Sequence, residues 1–101
     1  MAQFDVYINQ NRETSKLFPY FVDIQNDLHS VMKTRVVIPL TPSMKPLDKL
    51  TPSIVIDGIK LVLSTSEITS IPISLCDTKV ANIESYSSDI FDSLDFLIHG
   101  F

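Results

Sequence analysis

The sequence predicts a mainly antiparallel β domain closed by one C-terminal α-helix. Three features carry this. Short runs rich in β-branched and aromatic residues, such as Val36-Val37-Ile38, recur through the first three quarters of the chain. Asp57-Gly58 sits between two apolar runs, where a tight hairpin turn needs positive φ at both central residues. From Ser87 onward the apolar residues change from strand to helix spacing. With no alternation of strand and helix, the architecture is a sheet with one helix packed on it.

The elements follow in chain order. Residues 3–8 alternate, with Phe4, Val6 and Ile8 on one face and Asp5 and Tyr7 on the other, the pattern of a half-buried strand. The polar stretch 9–15 separates it from a second strand at 20–24, which makes a long hairpin. Residues 34–40 form a third strand, in which Pro39 cannot donate to a ladder and calls for an edge or a bulge. Pro42, Pro46 and Pro52 exclude a regular helix from 41–53. Ile54–Ile56 and Ile59–Leu63 flank the Asp57-Gly58 turn, residues 64–70 are a connector, and 71–75 are a last short strand. Ile90, Phe91, Leu94, Leu97 and Ile98 make one helical stripe, with Ser87 or Ser88 as N-cap and Gly100 as the left-handed stop.

Composition narrows the class. The chain has 101 residues, 45% of them hydrophobic, and reads as a single domain over 1–101. No apolar run approaches the roughly 20 residues of a membrane helix, and the start lacks a secretory pattern, so the expected location is the cytoplasm, away from membranes. The net charge of −4 is uneven: residues 1–50 hold six basic against five acidic residues, residues 51–101 two against seven. A chain without a Lys/Arg cluster lacks the footprint of a direct nucleic-acid binder, so a protein partner is expected.

The residues offer little for catalysis. His29 and His99 are the neutral-pH bases, and Asp27-x-His29 is the nearest approach to a dyad, but a polar turn contains such pairs by chance. Cys76, the one cysteine, reads as packing. Asp89, Asp92 and Asp95 form a solvated helix face, and two glycines cannot build a phosphate cradle, so neither metal nor cofactor is expected. An RNase using Arg35 or Arg12 as phosphate clamp and His29 as base is the enzymatic alternative, against which the acidic balance weighs. At the C-terminus, Phe96, Leu97, Ile98 and Phe101 crowd four apolar residues into the last six; Phe101 either closes the core or presents a docking surface.

The motifs QF-x-VY at 3–7, F-VD-IQ-x-D-L at 21–28, R-x-VIPL at 35–40, T-S-IP-I at 69–73 and a final helix ending in Gly-aromatic together resemble the CcdB family of toxin–antitoxin toxins. The resemblance runs the full length. It implies an SH3-like antiparallel β-barrel of the CcdB/MazF/Kid type, with a small accessory sheet and a C-terminal helix, assembled as a homodimer. It implies a non-enzymatic toxin that binds the DNA gyrase A subunit and traps its cleaved-DNA complex. A CcdA-type antitoxin would neutralise it, and would supply the DNA contacts when the pair represses its own operon. Carried onto this chain, the gyrase-facing residues are Gln3, Phe4 and Tyr7; Gln25, Asn26, Leu28 and His29; and Asp95, His99, Gly100 and Phe101. Arg12, Lys16 and Lys33 are the candidate contacts of an acidic antitoxin tail. Plasmid-borne members typically end in Trp-Gly-Ile; this chain keeps Gly100 and has His99 and Phe101 beside it. The alternatives are an mRNA endonuclease on the same fold, as in MazF and Kid, and a non-toxic chromosomal homologue that only binds antitoxin.

Overall fold

The computed structural model describes residues 2–27, 31–47 and 50–100. It forms one curled, half-barrel antiparallel sheet of seven strands and a C-terminal helix. The strands are β1 (Asp5–Ile8), β2 (Tyr20–Asp23), β3 (Thr34–Thr41), β4 (Ser53–Ile56), β5 (Ile59–Leu63), β6 (Thr69–Pro72) and β7 (Lys79–Asn82), and the helix is α1 (Ser87–His99). The path runs β4-β5-β3-β2-β1-β7, with β6 added to β3.

The eight-residue β3 organises the sheet. On one edge it pairs β2 through Val37–Leu40; on the other it gives Thr34–Val37 to β6 and Leu40–Thr41 to β5. Pro39 sits where the partner changes. Its carbonyl accepts the Ser64 N–H at 2.9 Å. Because a strand residue turns its nitrogen and carbonyl to the same side, the nitrogen that cannot donate faces this seam. The proline therefore needs neither a sheet edge nor a bulge, and the strand runs past it to Thr41.

The Asp57-Gly58 hairpin forms as the sequence requires, with φ of 51° and 78° at the two residues. The first strand differs from its reading. Ala2 to Asp5 close a turn through Asp5 N–H to Ala2 C=O at 3.0 Å, and Phe4 sits in it with φ 72°, so β1 starts only at Asp5. A bulky residue at positive φ is strained and persists only where its surroundings hold it. Here burial of the ring and a hydrogen bond from Phe4 N–H to the Asp23 carbonyl do so.

Asp5 and Tyr7, expected on a solvent face, are buried, while Ile8 is half open. The sheet is covered on both sides. Val6, Val22, Ile38, Leu40, Leu61 and Ile90 fill the main core on the concave face. On the other, Tyr7, Phe21 and Val37 cluster under Ile71 and Cys76. The segment that supplies this cover is β6 followed by a 3-10 turn at Ile73–Leu75, so the last predicted strand starts two residues earlier than 71 and ends three earlier than 75. The strand β7 was not anticipated, because Val80 and Ala81 are its only apolar residues; it pairs β1 across a bulge between Val6 and Tyr7.

Helix α1 continues a 3-10 turn at Glu84–Tyr86, and the Ser87 N–H is already bonded to the Glu84 carbonyl. Ser87 and Ser88 therefore lie within the first turn, and neither is the N-cap, which falls at Tyr86. At the other end Gly100 adopts φ 78°, and its N–H bonds the Phe96 carbonyl at 2.9 Å, the left-handed stop expected. The helix docks through Ile90 and Ser93. The Ser93 hydroxyl donates to the Ile90 carbonyl at 2.7 Å and accepts from Thr65 Oγ1 at 3.1 Å, both buried. Leu94 is half-buried, but Phe91, Leu97 and Ile98 are exposed, so only part of the predicted stripe faces the core.

Candidate functional site

The residues singled out in the sequence fall on three pieces of the molecule. The first is the N-terminal turn and the segment after β2. Gln3 N–H donates to Asp27 Oδ1 at 3.0 Å and Gln3 Nε2 to the Ile24 carbonyl at 3.0 Å, which ties the turn to residues 24–27. Asn82 Nδ2 holds the Gln3 carbonyl from β7 at 3.2 Å. Gln25 is buried, whereas Asn26 and Asp27 are exposed. Leu28 and His29 lie outside the described residues.

Phe4 and Tyr7 belong to the interior, at 5% and 3% exposure. The Phe4 ring meets Phe91 of α1 edge to face, 5.6 Å between centroids, so it joins the turn to the helix rather than facing outward. The Tyr7 hydroxyl donates to Asp5 Oδ2 at 3.4 Å, and burial, with the Asp5 carboxylate beside it, pushes the phenol far above its ordinary value. It stays a donor. Asp5 moves the opposite way: burial raises its carboxyl, but Asn82 at 2.9 Å, the Ala2 N–H at 2.9 Å and Lys79 at 3.1 Å outweigh that and hold it below 3.8.

Under the 24–27 segment lies a buried charge pair. Arg35 Nε bonds Asp23 Oδ2 at 2.7 Å, with the two side chains 1% and 0% exposed. Arg35 Nη2 reaches the Gln25 carbonyl at 3.1 Å and Asp27 Oδ1 at 3.5 Å. Burial raises the Asp23 carboxyl, and Arg35 pulls against it; on Arg35, burial is outweighed by the Asp23 bond, which lifts the guanidinium further and keeps it charged. With Nε and Nη2 committed beneath the surface, Arg35 is not placed to clamp the phosphate of an RNA substrate, which leaves the exposed Arg12 as the clamp of the endonuclease reading. The pair was missed in the sequence, where its signal was a single charge inside each of two apolar strand runs, Asp23 in 20–24 and Arg35 in 34–40.

The second piece is the end of α1. Asp95, His99 and Gly100 are exposed there, beside Ile98 at 72%. The eight residue-to-residue steps from Phe91 to His99, at roughly 1.5 Å each, carry this end about 12 Å along the helix axis from the Phe4 contact. Phe101 lies outside the described residues.

The third piece is basic. Arg12 and Lys16 are exposed on the β1–β2 loop, whose own hydrogen bonds order it: Asn9 Nδ2 to Thr14 Oγ1 at 3.0 Å and to the Phe18 carbonyl at 2.8 Å. Lys33 is exposed just before β3. The loop precedes β2 and Lys33 follows it, so these three cations sit on connections at opposite ends of that strand. A cleft of about 340 Å³ opens between this loop and β6, floored by Phe21, Val37, Pro39 and Ile71; nothing in the linear sequence marked it. Cys76 packs at the Tyr7–Phe21–Val37 cluster, and burial raises its thiol, which makes it a packing residue.

A curled antiparallel sheet with one C-terminal helix, whose apolar far end stays outside the core, is the small barrel-type build that the resemblance in the sequence implies. The family described as CcdB protein matches residues 3–100, and the chain belongs to it. Among the described residues no helix is long and apolar enough to cross a membrane.

Proposed function

We propose that the chain is a cytoplasmic, non-enzymatic toxin that acts as a homodimer on the DNA gyrase A subunit and traps the gyrase–DNA cleavage complex. A CcdA-type antitoxin neutralises it, with Arg12, Lys16 and Lys33 meeting acidic residues, and the pair represses its operon through DNA contacts made by the antitoxin. Membership of the CcdB family supports this reading. The observation that carries it furthest is the solvent-facing helix end, where Ile98 and His99 lead into the left-handed stop at Gly100. In a two-fold dimer, two such ends offer a paired anchor to a partner that is itself two-fold. Large side chains at the centre of an interface carry most of its energy, which gives His99 and Phe101 their weight here.

The test is growth after induced expression in a host with wild-type gyrase and in one whose gyrase A resists CcdB-type poisons, with a His99→Ala, Phe101→Ala double variant alongside. Killing confined to the wild-type host and lost in the double variant supports the reading. Killing in both hosts points to another target, and killing in neither to a homologue that binds antitoxin alone.

A further inference from the structure

We propose that Arg35 is the positioning residue of the partner-facing surface, holding the 25–27 segment and the Gln3 turn in one geometry from beneath. The inference rests on the reading that this surface meets gyrase A.

One guanidinium connects all the parts. Its Nε end is anchored on Asp23 in β2 at 2.7 Å, and its Nη2 end supports the Gln25 carbonyl at 3.1 Å and the Asp27 carboxylate at 3.5 Å. Asp27 Oδ1 in turn accepts the Gln3 N–H at 3.0 Å. The same segment is stitched to the sheet by Gln25 N–H on Asp23 Oδ1 at 3.0 Å and by Val36 N–H on Gln25 Oε1 at 3.1 Å. A buried ion pair is a poor way to add stability, because desolvating two charges cancels most of their attraction, and a well-packed apolar pair commonly does as well. What an apolar pair cannot do is present a planar fork of donors to a backbone carbonyl and a carboxylate at fixed angles. The exposed Asn26 and Asp27 therefore stand on a buried, charged template rather than on a free loop.

Two variants test this. Arg35→Lys keeps the charge beside Asp23 but loses the fork. The double variant Asp23→Leu, Arg35→Met replaces the pair with apolar side chains and guards against a fold failure caused by one unpaired charge. Thermal unfolding establishes that each is folded. Amide hydrogen exchange at Gln3, whose acceptor Asp27 is untouched by either change, reports the positioning, and binding to a gyrase A fragment reports its consequence. The expected result in a folded variant is Gln3 exchange faster by about tenfold or more and gyrase A affinity lower by about tenfold, the scale of one lost charge-assisted hydrogen bond. Wild-type exchange at Gln3 in either folded variant overturns the inference, as does wild-type affinity alongside accelerated exchange. Should the wild-type chain not bind gyrase A, the target reading fails, and Gln3 exchange alone decides whether Arg35 positions this surface.

Discussion

Ile90 and Ile98 occupy the same apolar stripe of the same helix, yet burial separates them, at 0% and 72% exposure. Replacing either with alanine removes three carbons, a transfer term of about 2.4 kcal/mol for a fully buried side chain at roughly 0.8 kcal/mol per carbon. At Ile90 the whole term applies. A cavity is added because Phe4, Leu61 and Leu63 belong to the same core, so the cost rises to about 3–4 kcal/mol. At Ile98 the buried fraction scales the term to about 0.7 kcal/mol, and the better helix propensity of alanine returns about 0.4, leaving roughly 0.3 kcal/mol. Urea unfolding measures both as shifts in midpoint at constant slope. A loss at Ile98 comparable to that at Ile90 would refute the placement of the helix end in solvent.

The N-terminal aromatic behaves as core: Phe4→Leu lowers the unfolding free energy by about 1–2 kcal/mol, through lost volume and the lost Phe91 contact, read from thermal or urea unfolding. Gly100→Ala meets no atom within 4 Å but is strained at φ 78°. It costs about 1 kcal/mol in urea unfolding, the scale of placing a Cβ in the left-handed region, and on the gyrase-poison reading it also reduces killing in the expression assay. Asp5 has its folded value below the unfolded 3.8, so it binds fewer protons in the folded chain near that pH; its contribution is present above it and lost as pH falls through the lowered value. Asp5→Asn therefore flattens the acid limb of a stability–pH curve from roughly pH 4 downward and leaves the neutral slope unchanged.

Much of the fold was legible because local chemistry and tertiary packing agree at particular residues. Asp57-Gly58 needs its backbone whatever surrounds it, and Gly100 likewise. The errors arise where the second face of the sheet is buried. Alternation in residues 3–8 implies one wet face, and it cannot show that β6 and the turn after it cover Tyr7. Nor does alternation show that Phe4 adopts a left-handed backbone instead of joining the strand. The weakly apolar β7 is a strand only because the edge of β1 is there to receive it. In the helix, periodicity gives a stripe but not how much of it a small sheet can cover. Of the candidate site, the helix end, Gln3 and Gln25 lie in motifs the sequence displays, but the bond that ties Gln3 to Asp27 is between residues 24 positions apart and shows only in the fold. The Arg35–Asp23 pair beneath them needed the register of β2 on β3, which no single segment contains.

The most direct measurement uses purified components: the chain, gyrase and supercoiled plasmid, with ATP, followed by protein denaturation and electrophoresis. Gyrase poisoning predicts linear plasmid that accumulates with added chain, that disappears when gyrase A of a resistant type is used, and that is prevented by prior addition of the cognate antitoxin. Plasmid that is supercoiled and relaxed normally at every concentration of folded chain would contradict it.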